Sequence, residues 1–319
     1  MALAALTTPV ALHRGRARAA YALAVGAPFA ISGLLLLLVE HLSGHRLPVI
    51  GALVVLLVLR QWHVFLVTAL FHRGAAHGSV RFSPRFETLL RLWGWLATGI
   101  GMRTWAGVHR WHHATGDADD APFSPSRPGG SLWTIARETV AAHQRAIDDP
   151  AVVERFVSDE LPDDRLERFI QAEEARFFGM CGVRALTLVV LLTGVFSAFV
   201  PARVAFFAGL ACFPALTGAV AFGAVWLVNG VGHLYGYRRF DTRDSSTNIV
   251  AWDLFGLGEA LHNNHHARPG CACTAVAPGE LDPAYPVLRL LRALGLVVHL
   301  VEPKKPAAHP GPDRLSGAP

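Results

Sequence analysis

Four long apolar stretches limit what this 319-residue chain can fold into. They cover residues 21–39, 48–71, 184–200 and 204–231. A helix needs about 20 apolar residues to cross a bilayer, and each stretch is long enough or nearly so. Only 17% of the residues are charged, which is below the roughly 25% typical of soluble domains. The sequence therefore predicts an all-α integral membrane protein with four transmembrane helices.

The connections between these stretches predict two hairpins. Residues 40–47 join the first two stretches, and residues 201–203 join the last two. Arginines precede the first stretch and are frequent in the two long segments 72–183 and 232–301. Positive charge marks the cytoplasmic side, so we expect both termini and both long segments in the cytoplasm, as for a bacterial inner-membrane protein. The net charge of +5 suits anionic lipid heads, and nothing indicates nucleic acid.

A single membrane domain is expected over residues 21–301, between a cytoplasmic tail (1–20) and a disordered tail rich in proline and glycine (302–319). The two cytoplasmic segments would form a helical cap. Apolar residues at helical spacing predict an interfacial helix at 86–102, two or three helices within 131–178, and a last helix at 287–301.

Histidines occur in four groups. "VHRWHH" and "LHNNHH" each contain HxxHH, "FHRGAAH" contains a pair five residues apart, and "NGVGH" places an asparagine four residues before a histidine. Nine of the 16 histidines belong to these groups: His72, His77, His109, His112, His113, His233, His262, His265 and His266. One such group could be a solvated polar turn, but a repeated pattern of neutral imidazoles indicates metal binding.

The number of histidines bears on the kind of metal site. Nine imidazoles are too many for one tetrahedral zinc, and they suit two ions of higher coordination, one with four ligands and one with five. His72 and His77 pose a geometric problem, because residues five apart lie roughly 140° apart on a regular α-helix. They can converge only where the helix ends or is broken, which Gly74 and the end of the apolar run would permit.

The four motifs, together with "PDDRLER" and "SSTNIVAW", resemble the membrane fatty-acyl desaturases, in particular the bacterial acyl-CoA Δ9 group. That resemblance implies four spans, a cytosolic cap and two iron ions held by the nine histidines, with Asn229 holding a metal-bound water. It also implies a fatty acyl thioester or lipid as substrate, O2, and two electrons from a separate ferredoxin- or reductase-type donor.

Three positions depart from the family pattern. Where relatives commonly read Asp-Pro-His-Ser-Pro after the second histidine motif, this chain has Ala121 in place of the aspartate and Phe123 in place of the histidine, and Gly78 stands where arginine is common. Enzymes with the same motifs also hydroxylate, form alkynes or decarboxylate fatty acids, so these outcomes stay open. A histidine-rich metal transporter is disfavoured, because transport needs polar ligands inside the spans, which contain only Arg60 and His63.

Polar residues near the motifs are candidates for supporting roles. Glu259, Asp117 and Asp241 could orient ligand imidazoles, although a solvated surface position is the alternative for each. Arg238 and Arg239 could bind the head group of the acyl carrier, although extension to the membrane interface is the favoured alternative.

Overall fold

The computed structural model describes residues 7–118, 121–124, 131–157, 160–175 and 182–303, with the backbone alone at 7–13 and 219–221. The predicted tail 302–319 therefore lies almost wholly outside the described residues. The described chain is mostly helical, as the sequence predicted.

The apolar stretches form the longest helices. Their elements are α1 (Thr7–Ser43), α2 (Val49–Leu66) with the π-helix π1 (Val67–Ala76), α8 (Val183–Ser197), α9 (Ala202–Ala211), α10 (Phe213–Gly218), the π-helix π2 (Ala219–Val231) and α11 (Gly232–Leu234). Within the described residues, three continuous runs are long and apolar enough to cross a membrane, namely Arg14–Ser43, Val49–Ala76 and Ala202–Leu234, whereas Val183–Ser197 is apolar but shorter. Large apolar side chains such as Ile50 (81% exposed) cover their outer faces, as expected where lipid is the solvent.

Shorter helices lie between and after these runs. They are α3 (Pro84–Thr98), α4 (Met102–Thr115), α5 (Leu132–Asp148), α6 (Ala151–Glu154), α7 (Arg165–Glu174), α12 (His262–Ala267) and α13 (Ala284–Ala293). Side-chain caps fix two of the starts, because Ser131 accepts a hydrogen bond from the Thr134 amide and Asp164 accepts one from the Glu167 amide. Gly99 ends α3 with a φ of 74°, a backbone conformation that glycine adopts without steric cost.

The predicted helix over 287–301 is wrong in its second half. Helix α13 ends at Ala293, and the chain then forms the strand β2 (Val297–Leu300), which pairs antiparallel with β1 (Val80–Phe82). Gly295, with a φ of 73°, redirects the chain between the two elements. Val297 and Val298 favour the extended conformation because their side chains branch at Cβ.

Close contacts fix the short helices against the long ones. Gly94 of α3 lies under Phe71 of π1, where an added Cβ would come within 2.7 Å of the phenyl ring. Arg184 of α8 donates hydrogen bonds to the carbonyls of Trp95, Leu96 and Ala97 at the end of α3. The guanidinium thereby bonds carbonyls of the last turn of α3, of which the Trp95 carbonyl also accepts from the Gly99 amide.

Candidate metal centre

The nine histidines of the sequence motifs meet in two adjacent groups. The five-histidine group contains His72, His77, His109, His113 and His265, and the four-histidine group contains His112, His233, His262 and His266. Within each group the candidate ligand atoms all lie within 4.8 Å of one another. The groups touch where the rings of His113 and His266 stack, with centroids 4.4 Å apart.

Each HxxHH motif contributes to both groups. On α4, His109 and His113 (one turn apart) enter the five-histidine group, while His112 enters the other. On α12 the assignment is reversed, since His262 and His266 enter the four-histidine group and His265 the five-histidine group. Two short helices therefore face each other across both groups, which explains why the motif occurs twice.

The π-helix π1 resolves the problem of His72 and His77. A π-helix bonds residue i to i+5, so residues five apart lie nearly above one another. The His77 amide donates to the His72 carbonyl at 3.2 Å, and the two rings lie 5.1 Å apart between centroids. The expected break at Gly74 is therefore wrong: the helix widens and continues to Ala76 before it ends.

Arg110 holds the end of π1 against α4. Its guanidinium donates to the carbonyls of Ala75 and Ala76 at 2.8 and 2.7 Å. Those carbonyls close the π-helix and have no onward helical partner. The arginine inside the second histidine motif thus positions His77 beside the histidines of its own helix.

Nitrogen atoms face nitrogen atoms inside both groups. Nε2 of His72 lies 2.9 Å from Nε2 of His265, and the corresponding His233–His262 distance is 3.0 Å. Both ring nitrogens of His112 and Nε2 of His266 are buried with no hydrogen-bond partner among the described residues. Converging lone pairs and unpartnered buried nitrogens fit the donor set that a metal ion requires.

Burial keeps these imidazoles in the form that binds metal. The pKa of six histidines lies well below the usual value, because burial disfavours the charged ring and neighbouring histidines repel added charge: His77, His109, His112, His113, His262 and His265. Neutral imidazoles offer a lone pair, so the two groups could hold metal ions.

Acidic residues lie near the outer nitrogens of several rings. A Glu259 oxygen lies 2.6 Å from Nδ1 of His72, and Glu259 also accepts a hydrogen bond from Thr68. Nδ1 of His233 instead lies 3.3 Å from the Ser245 hydroxyl, and Asp117, 3.9 Å from the same nitrogen, accepts a 2.6 Å hydrogen bond from the Ser245 amide. A carboxylate at Nδ1 fixes the tautomer and turns the other ring nitrogen inward.

Asp244 does the same for His266, and the sequence did not single it out. Its carboxylate lies 2.8 Å from Nδ1 of His266 and accepts a hydrogen bond from the Ser246 amide. Burial opposes the charged form, but these hydrogen bonds hold the pKa of Asp244 well below its usual range. The only signal was its place in a turn before two serines, where an aspartate readily bonds its own backbone.

The other candidates lie at varying distances from the histidines. Asp241 is fully exposed, 4.0 Å from Arg238. Arg238 donates to carbonyls of residues 242, 244 and 246, and Arg239 pairs with Glu280 at 2.9 Å. Asn229 lines an internal cavity together with His72 and His109.

That cavity has a volume of about 650 Å³ and predominantly apolar walls. Its lining includes Trp105, Val108 and Phe123 beside the histidines, and Leu227 and Val228 from π2. Phe123, which stands where relatives carry histidine, stacks on the His112 ring with centroids 4.5 Å apart. An elongated apolar ligand in this cavity would lie against the five-histidine group.

Long apolar helices, two histidine groups suited to metal and an apolar cavity beside them are the features of a membrane-associated enzyme that acts on lipid. The sequence model of the family described as "Fatty acid desaturase" matches residues 45–294. The chain belongs to the fatty acid desaturase family, as the motifs predicted.

Named relatives agree with that family. The chain is 31% identical over 234 residues to the sn-1 stearoyl-lipid 9-desaturase of Anabaena variabilis, which covers 73% of this chain and 78% of the relative. It is 28% identical over 247 residues to the sn-2 palmitoyl-lipid 9-desaturase of Nostoc sp. (strain 36). That match covers 75% of this chain and 78% of the relative. It is 26% identical over 241 residues to the Delta-9 desaturase-like 5 protein of Arabidopsis thaliana. That match covers 75% of this chain and 73% of the relative.

Proposed function

We propose that the nine histidines hold two iron ions and that the chain desaturates a fatty acyl chain carried by a lipid or a thioester. The observation that carries the proposal is the division of the histidines into groups of five and four around separate points. Both groups offer imidazole donors, which suit iron. Asn229 lies on the cavity side of the site, where its amide could hold a water bound to the metal.

Bound iron would supply the activation of O2 and the removal of two hydrogens from neighbouring carbons. The residues of the chain position the acyl chain and exclude water from the site. The apolar cavity holds the acyl chain next to His72 and His109, and Phe123 covers His112 from that side. Such enclosure excludes water and fixes the reacting carbons relative to the metal. The two electrons would come from a separate ferredoxin- or reductase-type donor.

We further propose four spans in two hairpins, with the shorter helix Val183–Ser197 as the third span. Arg14, Arg16 and Arg18 at the start of α1 support a cytoplasmic N-terminus, and the histidines then face the cytoplasm in a bacterial inner membrane. Residues 72–183 and 232–301 would form the cap of a domain that covers residues 21–301. Reporter fusions within α5 test this topology, and an extracytoplasmic signal there would contradict it.

The activity test is expression in a host without a fatty acid desaturase, followed by mass spectrometry of its lipids. We expect new monounsaturated chains, and about two irons per purified chain. His233→Ala should abolish the product and lower the iron content while the protein still inserts into the membrane. His45→Ala, at an exposed histidine outside both groups, is the matched control. A hydroxylated product, or full activity with zinc alone, would contradict the proposal.

A further inference from the structure

A second pocket lies at the start of α1, outside the histidine groups. It has a volume of about 770 Å³, and its lining includes Arg14, Arg18, Tyr237, Arg239, Trp252 and Glu280. Arg14 and Arg18 stand one helical turn apart and therefore face the same side of α1. Arg16, between them, points elsewhere, with its guanidinium 6.0 Å from the Tyr235 ring.

The charge of this pocket is unbalanced. Neither Arg14 nor Arg18 forms an ion pair within the described part of the chain, and Arg14 lies over the Tyr237 ring at 5.4 Å. Glu280 is the acidic residue of the lining, and it is already bonded to Arg239, to the Val276 and Ala277 amides and to Asn264. Three guanidinium groups against one committed carboxylate leave the pocket positive.

The pocket is adjacent to the acyl cavity. Tyr21, three residues after Arg18, lines both spaces, and its hydroxyl is fixed by Asp253 at 2.7 Å. An acyl chain in the apolar cavity can therefore belong to a molecule whose polar part lies among the arginines. Guanidinium groups match the geometry and charge of phosphate better than those of neutral polar groups.

The position of the pocket relative to the membrane surface indicates which kind of phosphate it binds. Arg14 and Arg18 lie within about two helical turns before the apolar stretch that begins at residue 21, which places them near the level where the first span leaves the hydrocarbon. Trp252, 74% exposed at the rim, is a side chain enriched at the level of lipid head groups. We propose that Arg14, Arg18 and Arg239 form a binding site for the phosphate of the glycerophospholipid that carries the acyl chain. This inference rests on the proposed desaturation and names the substrate class for it.

The test measures lipid binding to the delipidated full-length protein in detergent by native mass spectrometry. The probes are dioleoylphosphatidylglycerol and dioleoylglycerol, which share their acyl chains and differ in the phosphate head. We expect the phospholipid to bind at least about tenfold more tightly than dioleoylglycerol. Arg14→Gln and Arg18→Gln should each weaken phospholipid binding by roughly tenfold, because each removes a charge-assisted hydrogen bond.

Arg16→Gln is the matched control, since it removes the same charge from the same helix turn outside the pocket. An equal loss with Arg16→Gln would mean general attraction to anionic lipid and would overturn the site. Equal binding of dioleoylglycerol would also overturn it. Displacement of the phospholipid by coenzyme A, with tighter coenzyme A binding, would assign the pocket to a thioester carrier and overturn the lipid assignment.

The binding measurement requires neither iron nor turnover. A protein that binds phospholipid but makes no product would contradict the proposed desaturation and leave the pocket standing. A protein that is active but whose phospholipid binding does not depend on Arg14 and Arg18 would contradict the proposed phosphate site and leave the proposed desaturation standing.

Discussion

Tyr21 donates a 2.7 Å hydrogen bond to Asp253, a residue 232 positions later in the chain. Asp253 is fully buried and also accepts hydrogen bonds from the amides of Gly256, Gly258 and Ala260. One carboxylate therefore fixes the loop that ends in Glu259 and His262, and it ties that loop to the first helix. Within the loop, Leu257 has a φ of 56°, a costly conformation for a side chain of its kind.

Asp253→Asn should lower stability more than Tyr21→Phe does. The amide nitrogen of asparagine cannot accept hydrogen bonds, so the Gly258 and Ala260 amides would lose their acceptor, at about 1–3 kcal/mol each. Tyr21→Phe removes one donor to Asp253 and the acceptor of the Phe255 amide, at about 1 kcal/mol each. Thermal unfolding in detergent and the iron content per chain measure both effects. Equal losses in the two variants would show that the loop does not depend on this carboxylate.

Glu259→Gln should weaken metal binding at the five-histidine group while the fold is kept. The carboxylate lies 2.6 Å from Nδ1 of His72, and a neutral amide is a weaker partner for that nitrogen. Loss of such a supporting carboxylate typically costs about 10–100-fold in metal affinity. Iron titration of the metal-free protein measures the change. Asp241→Asn, at an exposed aspartate away from the histidines, should bind iron as the unmodified protein does.

Gly223→Leu should shift the products towards shorter acyl chains. Gly223 lines the apolar cavity, and a Cβ built there meets no atom within 4 Å. A leucine would therefore occupy cavity space without straining its neighbours. Gly194→Leu is the control, because Gly194 is equally unobstructed but lies in α8 and is absent from the cavity lining. Lipid mass spectrometry measures the chain lengths of the products of the two variants. Identical chain-length profiles for the two variants would contradict the prediction.

Glu174→Gln should reduce the loss of stability that accompanies a rise in pH from about 4.5 to about 8. Burial raises the pKa of Glu174 to about 8, and Oε1 of its carboxyl has no hydrogen-bond partner among the described residues. A raised folded-state pKa gives stability that is complete below the ordinary pKa of glutamate and disappears as the pH rises through about 8.

Glutamine imitates the protonated form of Glu174 at every pH. Relative to the unmodified protein, the variant should therefore gain stability progressively between about pH 4.5 and about pH 8 and keep a constant advantage above that, on the order of a few kcal/mol at most. Unfolding midpoints across that range measure the gain. Parallel curves for the two proteins would mean that Glu174 does not titrate in this window.

The histidine motifs and the apolar stretches predicted the family and the helical character of the chain because both signals repeat. The structure brings the nine histidines together, and their role as iron ligands stays a prediction. Asp244 was missed because two aspartates lie three positions apart near the same turn, and only the folded chain shows which one reaches His266. The strand β2 was missed because its apolar residues also suit a helix. Its extended conformation is stabilised by pairing with β1, which the sequence does not show.

The π-helix π1 makes the number of residues in this segment as important as their identity. Its ten residues wind more widely than an α-helix, so a deletion before His72 that restored ordinary winding, with the five-residue spacing kept, would rotate His72 away from His77. No substitution elsewhere could compensate for such a change in phase. Deletions in the part of π1 that precedes His72 should therefore be excluded during divergence. A designer who copied the histidines onto a regular helix would likewise obtain the right residues in the wrong directions.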